Sequence, residues 1–173
     1  MNKPREFLPL NIAVLTVSDT RSLADDRSGD LLVARLTAAG HRLHERQIVR
    51  DDKYAIRAVV SGWIAAPHCQ VVISTGGTGL TGRDGTPEAL IPLFDKEIEG
   101  FGEIFRMVSW QKIGTSTLQS RATAGVANGT YLFVLPGSTS ACADAWDMVI
   151  AAQLDYRTAP CNMVELMPRL TEQ

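Results

Sequence analysis

The chain of 173 residues lacks the features that mark membrane, nucleic-acid-binding and secreted proteins. No uninterrupted apolar run approaches the roughly 20 residues that a transmembrane helix needs, and the polar arm at 1–10 has no apolar signal core. The 17 basic residues do not exceed the 19 acidic ones, so no excess of positive charge favours binding to nucleic acid or to an anionic membrane. We therefore expect a cytoplasmic protein that binds neither.

Cysteine is scarce as well, with only Cys69, Cys142 and Cys161. The three lie far apart and none has the spacing of a metal-binding motif, so reduced thiols packed as small hydrophobic residues are expected. No Gly-Lys-Ser/Thr sequence occurs, which excludes a Walker A loop. The segment 77–82 does match the dinucleotide pattern G-x-G-x-x-G, but Arg83 to Thr86 intervene before Pro87 can open a helix, which argues against a nicotinamide site.

Along the chain, continuous apolar runs typical of buried strands alternate with segments that have the apolar spacing of a helix. Strands are predicted at 12–17, 41–49 and 71–73, and helical spacing is found at 28–40 and 53–65. This β-α-β-α-β order implies a parallel sheet covered by helices. The remainder predicts helices around 101–108 and 138–154, a weak strand at 122–127, and an Asn128-Gly129 turn before a strand at 131–135. We predict one domain at 11–157, with an irregular tail at 158–173 packed on it.

Four polar loops follow predicted strands. They are Ser18-Asp19-Thr20-Arg21, Asp51-Asp52, Thr75 to Thr86, and Pro136-Gly137-Ser138-Thr139. Ligands of open parallel sheets bind at the carboxyl ends of the strands. The four loops are therefore expected to meet at one edge of the sheet.

The glycine-rich loop from Thr75 to Thr86 has the most informative composition. Glycines let backbone N–H groups converge on an anion, and an acid among them, Asp84, is compatible with a phosphate when a divalent cation lies between. Asp84 also fits a turn former that hydrogen-bonds the backbone near Thr86. Mg²⁺ takes one or two carboxylates together with phosphate oxygens and water. The loop therefore predicts a phosphate-bearing ligand handled with Mg²⁺.

Other candidate residues carry two interpretations each. Asp51 or Asp52 is a second possible carboxylate, although Asp52 also fits an N-cap of the next helix. Ser138 fits an N-cap or an anion-binding helix start. Ser18 and Asp19 fit turn formers or ligand contacts.

Several motifs resemble those of the molybdenum cofactor biosynthesis proteins of the MoaB/MogA type. They include Thr75-Gly76-Gly77-Thr78-Gly79, Arg83-Asp84-Gly85-Thr86-Pro87, Ser120-Arg121 and Leu135-Pro136-Gly137-Ser138. The segments at 54–57 and 113–121 are most similar to the MoaB branch. The resemblance extends from Ile12 to about Pro160. It implies the molybdopterin-binding fold, an α/β fold with three α/β/α layers and a mostly parallel central sheet, assembled as a homo-trimer or homo-hexamer.

The resemblance also implies an activity and a site. Active members adenylylate molybdopterin with ATP and Mg²⁺ and release pyrophosphate. Asp84 and, after the second strand, Asp51 would be the catalytic and Mg²⁺-binding acids. The substrate-binding residues would be Ser18, Asp19, Thr75, Gly76, Gly77, Thr78, Gly79, Pro136, Gly137 and Ser138. The alternative is a catalytically silent molybdopterin-binding protein of the same pathway, with other enzymes of that pathway as partners in either case.

Overall fold

The computed structural model describes residues 5–172 and contains one six-stranded sheet. The strands are β1 (Asn11–Val17), β2 (Arg42–Val49), β3 (Val71–Thr75), β4 (Lys96–Glu97), β5 (Thr123–Ala127) and β6 (Thr130–Leu135). Their spatial order is β2-β1-β3-β6-β5-β4. The first four of these run parallel, β5 pairs antiparallel with β6, and β4 pairs antiparallel with β5. The predicted mostly parallel sheet is confirmed.

Helices cover both faces of the sheet. They are α1 (Arg27–Ala38), α2 (Lys53–Ala65), α3 (Thr86–Leu90), α4 (Glu99–Ile113), α5 (Thr139–Ala145), a π-helical turn (Trp146–Ile150), α6 (Ala151–Gln153) and α7 (Met163–Leu166). Successive residues of β1 point to opposite faces. Ile12 and Val14 enter the core beneath α1, α4 and α5, whereas Ala13 and Leu15 enter the core beneath α2 and α3. The three-layer α/β/α prediction is therefore confirmed.

The starts of two helices differ from the local sequence signal, in which Ser28 and Thr86 are the predicted N-caps. Asp26, not Ser28, caps α1, and its side chain accepts a hydrogen bond from the N–H of Gly29. Gly85 occupies the cap position of α3, while the Thr86 hydroxyl donates to the carbonyl of Gly76 at 2.8 Å. The hydroxyls of Ser28 and Thr86 instead donate to the carbonyls of Gly137 and Gly76, and these partners are not evident from the local sequence.

The β4 edge of the sheet and the C-terminal tail contain elements that the sequence analysis did not predict. β4 is two exposed residues long, too short for a periodicity to appear. The Asn128-Gly129 turn is confirmed, with φ of 48° and 78°. The predicted irregular tail contains α7, whose Val164 is buried against the domain. Residues 1–4 of the predicted arm and residue 173 of the tail lie outside the described residues. Within 5–172, no helix combines the length and apolarity required to cross a membrane.

Candidate functional site

The four polar loops meet at the carboxyl edge of the parallel strands, as predicted. The N–H of Asp51 donates to Asp19 Oδ1 at 3.1 Å, which joins the loops after β2 and β1. The N–H of Gly85 donates to Asp51 Oδ1 at 3.2 Å, which joins the glycine-rich loop to the same group. Ser28 Oγ donates to the carbonyl of Gly137 at 2.9 Å and links the start of α1 to the loop after β6.

The glycine-rich loop turns sharply at Gly76 and Gly77, whose φ angles are 98° and 65°. A Cβ at Gly76 would collide with the carbonyl of Val17, and one at Gly77 would collide with the Thr86 hydroxyl. The N–H of Gly76 donates to the carbonyl of Leu135, and the N–H of Thr86 donates to the carbonyl of Gly77. Gly76 is thus bonded to the neighbouring strand β6, and the two ends of the loop are bonded to each other.

Several backbone donors of this loop have no acceptor among residues 5–172. They include the N–H groups of Gly77 and Thr78, at the sharpest part of the turn. Backbone donors in such a bend are suited to an anion. Thr75 is different, because it is fully buried and its hydroxyl donates to the carbonyl of Pro136 at 2.8 Å. Its side chain joins two loops and faces no ligand space.

Asp51 is the carboxylate that faces the glycine-rich loop from β2. It is partly buried, and the Gly85 N–H donates to its Oδ1. Burial raises its pKa, and the negative charges of Asp84 and Asp19 raise it further, against the lowering effect of Gly85 and Arg121. A carboxylate near like charges gains from a cation placed beside it.

Asp52 points elsewhere. Its Oδ1 accepts hydrogen bonds from the N–H groups of Tyr54 and Ala55, at 3.0 and 2.7 Å. It is therefore the N-cap of α2, the local role that the sequence also allowed. The geometry separates the two adjacent acids, and only Asp51 lies against the glycine-rich loop.

Asp84 closes a turn inside the glycine-rich loop. Its Oδ2 accepts from the N–H and the hydroxyl of Thr81, at 2.9 and 2.6 Å. The Thr81 hydroxyl is the main reason that the pKa of Asp84 is lowered, and the Thr81 and Gly79 N–H groups contribute. Asp84 therefore does form a turn through its side chain, but its hydrogen-bond partner is Thr81, upstream, and not the backbone near Thr86.

The loop after β1 contributes Ser18 and Asp19. Ser18 Oγ accepts from the N–H of Arg21 at 3.1 Å and shapes the loop. Asp19 Oδ2 accepts from Arg83 Nη1 at 3.2 Å, and the Arg83 side chain is 83% exposed. Asp19 therefore connects the first loop to the exposed tip of the glycine-rich loop.

The loop after β6 lies beside Gly76. A Cβ at Gly137 would be 3.2 Å from Gly76 Cα, so the two loops approach through their backbones. Ser138 caps α5 by accepting from the N–H of Ala141 at 3.2 Å. The N-cap interpretation of Ser138 is confirmed, and Pro136 presents its carbonyl to Thr75.

Sequence reasoning missed one residue of this region, Arg121. It follows a short 3₁₀ segment (Gly114–Gln119) and reaches back to the glycine-rich loop. Its Nε lies 3.2 Å from the Thr78 carbonyl and 3.0 Å from the Gly79 carbonyl, and its Nη2 lies 3.1 Å from the Asp84 carbonyl. It also forms an ion pair with Glu88. The Ser120-Arg121 motif was the available signal, but nothing in its spacing points to carbonyls some forty residues earlier.

The donor set suits Mg²⁺ bound partly by substrate. In the described part of the chain, no three Asp, Glu, His or Cys side chains converge into a metal centre made by protein alone. Mg²⁺ is commonly held by one or two carboxylates plus phosphate oxygens. The negative charge of Asp84 is one of the causes that raise the pKa of Asp51. The residues present therefore fit Mg²⁺ that arrives with a phosphate-bearing ligand.

Comparison with known sequences gives a consistent result. Residues 13–156 match a family described as "Probable molybdopterin binding domain". The Molybdenum cofactor biosynthesis protein B of Escherichia coli K12 is 60% identical over 157 residues, 91% of this chain and 92% of that protein. The protein of the same name from Bacillus subtilis is 44% identical over 144 residues, 83% of this chain and 85% of that protein.

Solved structures agree with the sequence matches. A crystal structure of a Molybdenum cofactor biosynthesis protein B superposes with a TM-score of 0.86 and 36% identity, covering 99% of this chain and 100% of that one. A protein described as the tungsten cofactor synthesizing MoaB of Pyrococcus furiosus has a TM-score of 0.70 and 36% identity, covering 82% and 90% of the two chains. The similarity therefore includes all four loops of the site.

Proposed function

This chain belongs to the molybdopterin-binding family of molybdenum cofactor biosynthesis proteins, and we propose that it is a Mg²⁺-dependent molybdopterin adenylyltransferase. In this reaction the terminal phosphate of molybdopterin attacks the α-phosphorus of ATP. Pyrophosphate leaves, and AMP becomes joined to the pterin phosphate. The observation that carries the proposal is Asp51, a partly buried carboxylate with a raised pKa that lies against a loop with free N–H groups.

The residues of the loop have distinct tasks in this proposal. Nucleotidyl transfer depends mainly on positioning and charge neutralisation, so no covalent nucleophile is needed. The N–H groups of Gly77 and Thr78 would bind phosphate oxygens and fix their orientation. Asp51 and Asp84 would hold Mg²⁺, which when bound offsets the negative charge of the phosphates.

The remaining loops would accommodate the second phosphate-bearing substrate. Gly137 and Gly76 approach through their backbones, so the 136–138 turn lies directly beside the glycine-rich loop. We assign the pterin portion to the 136–138 turn, with Ser18 and Asp19 bordering it. A cytoplasmic location and a homo-trimer or homo-hexamer belong to the same proposal, and light scattering of the purified protein tests the assembly.

The deciding experiment is formation of adenylyl-molybdopterin from ATP, Mg²⁺ and freshly prepared molybdopterin. We expect product from the wild type and a loss of about 10²–10³-fold in kcat for Asp84→Asn, as for removal of one electrostatic group from a transition state. Circular dichroism should show an unchanged fold, because Asn can still accept from Thr81. Equal turnover by the variant would contradict the role of Asp84.

A second candidate is a molybdopterin-binding protein without catalytic activity. The observation that favours it is the Asp84 carboxylate, whose Oδ2 already accepts two hydrogen bonds from Thr81. The same assay separates the candidates. Binding of molybdopterin without any adenylylated product from the wild type would support the silent protein and reject the transferase.

A further inference from the structure

Arg121 contacts the glycine-rich loop only through the backbone carbonyls of that loop. Its Nε–H is shared between the carbonyls of Thr78 and Gly79, and its Nη2 donates to the carbonyl of Asp84. The ion pair with Glu88 holds the other side of the guanidinium. One planar group thus ties together both halves of the loop, a geometry that suits arginine and not lysine.

The orientation of these carbonyls fixes the orientation of the N–H groups. In a trans peptide the C=O and the following N–H point in opposite directions. A carbonyl of Asp84 that faces Arg121 therefore turns the N–H of Gly85 away from Arg121, and that N–H donates to Asp51 Oδ1 at 3.2 Å. The Gly85 peptide consequently lies between Arg121 on one side and Asp51 on the other.

The same relation holds at the first half of the loop. The carbonyl of Thr78 faces Arg121, so the N–H of Gly79 faces the opposite side. The Asp84 carboxylate lies beside Gly79, since a Cβ at Gly79 would be 2.5 Å from Asp84 Oδ2. Both acids of the candidate site therefore lie next to peptides whose carbonyls Arg121 holds, Asp84 beside Gly79 and Asp51 on the N–H of Gly85.

We propose that Arg121 is a positioning residue, which holds the carbonyls of the glycine-rich loop so that the N–H groups of Gly79 and Gly85 point to the opposite face, beside Asp84 and Asp51. Arg121 acts through the loop and does not touch the ligand. Its catalytic consequence rests on the proposed function, whereas its effect on the loop can be measured in the ligand-free protein.

Hydrogen exchange of the ligand-free protein tests the positioning directly. In Arg121→Ala we expect the amides of Asp84, Gly85 and Thr86 to exchange about tenfold faster or more, because their hydrogen bonds depend on the orientation of the loop. The amides of β1 and β3 should be unaffected. Exchange of the loop amides within about twofold of the wild type would overturn the proposal.

Two further variants separate geometry from charge and from packing. Arg121→Lys keeps the positive charge but cannot reach three carbonyls at once, so we expect the same fast exchange of the loop amides. Exchange at the wild-type rate in this variant would mean that charge alone matters and would overturn the proposal. The same variant tests the proposal if Arg121→Ala does not fold. Arg106→Ala is the matched control, since Arg106 donates to one carbonyl, that of Ala122, outside the loop. Its loop exchange should be that of the wild type.

The adenylylation assay gives a second measurement. With an active wild type, Arg121→Lys should lower kcat by about 10²-fold, the cost of misplacing reacting groups by about 1 Å, and should change the KM for ATP much less. A kcat equal to that of the wild type would overturn the role of Arg121 in the reaction. If the wild type forms no product, the proposed function fails, and the exchange measurement alone decides whether Arg121 positions the loop.

Discussion

Asp26 and Asp51 lie near the same edge of the sheet, and the protein surrounds their carboxylates in opposite ways. Asp26 is fully buried and accepts from Arg46 Nη2 at 2.8 Å, from Thr16 Oγ1 at 2.7 Å and from the N–H of Gly29 at 3.0 Å. Burial would raise its pKa, but these three donors outweigh burial and hold the pKa below its ordinary value. Asp51 has the Gly85 N–H as its donor and carboxylates as neighbours, and its pKa is raised.

The difference distinguishes a structural acid from one that is available to a ligand. A buried carboxylate whose oxygens are fully hydrogen-bonded has no free lone pair for a ligand, and its removal leaves the buried partner charge unpaired. A carboxylate held among like charges is unfavourable in the free protein and gains from a bound cation. Perturbed acids of this second kind cluster at functional sites.

The largest expected effect is on activity, in Asp51→Asn. Loss of the charge removes one of the two acids assigned to Mg²⁺, so kcat/KM for adenylyl-molybdopterin formation should fall by about 10³-fold. The melting temperature at neutral pH should not fall, because Asn Oδ1 can still accept from Gly85 and the repulsion from Asp84 and Asp19 disappears. Parallel kinetics and thermal melts provide the measurement.

The neighbouring acid supplies a control for this variant. Asp52→Asn keeps a good N-cap at α2 and removes a charge one residue away. Its activity should stay within about twofold of the wild type, since Asp52 faces the helix and not the loop. A large loss of activity in Asp52→Asn together with a small one in Asp51→Asn would reverse the assignment of the two acids.

The next effect is on stability, in Asp26→Asn. The variant leaves the partly buried Arg46 without its main partner, so the free energy of unfolding should fall by about 3 kcal/mol. Chemical denaturation measures this. Asp30→Asn removes the other, exposed carboxylate bound to Arg46 and should cost less than about 1 kcal/mol. Equal losses in the two variants would show that burial does not set the contribution of Asp26.

The sequence predicted most of the elements of this fold, because buried strands and amphipathic helices each have a characteristic local spacing of apolar residues. The bounds of α2 were predicted without error, and the strand at 71–73 is extended only to Thr75. The four loops were predicted to meet because the topology of parallel strands requires it. Local patterns therefore gave the architecture and the position of the candidate site.

The partners of individual side chains could not be predicted in the same way. Asp26 as a buried cap, the Thr86 hydroxyl on Gly76, and Arg121 on the glycine-rich loop all depend on residues brought together by the fold. Asp51 and Asp52 are adjacent in sequence, and only the direction of the chain after β2 decides which one faces the loop. These contacts are tertiary, so a single sequence carries little information about them.

The smallest effect is on the pH dependence of stability, where the two aspartates should act with opposite signs. The folded pKa of Asp26 is lowered, so its contribution is present above the unfolded pKa and is lost as the pH falls through the folded value. The folded pKa of Asp51 is raised, so its contribution is complete below the unfolded pKa and is lost as the pH rises through the folded value. Relative to the wild type, Asp26→Asn should therefore be less stable at pH 7 and approach it below roughly pH 4, the ordinary range of an aspartate.

Asp51→Asn should show the reverse pattern, slightly more stable than the wild type at pH 7 and equal to it in acid. Urea denaturation of the three proteins at several pH values gives both differences. The test is specific because the same substitution is made at two sites of one sheet edge, and general effects of lost charge appear equally in both. If the two differences change in the same direction with pH, the opposite surroundings of these carboxylates do not govern their ionisation, and the case for Asp51 as the ligand-facing acid loses its electrostatic support.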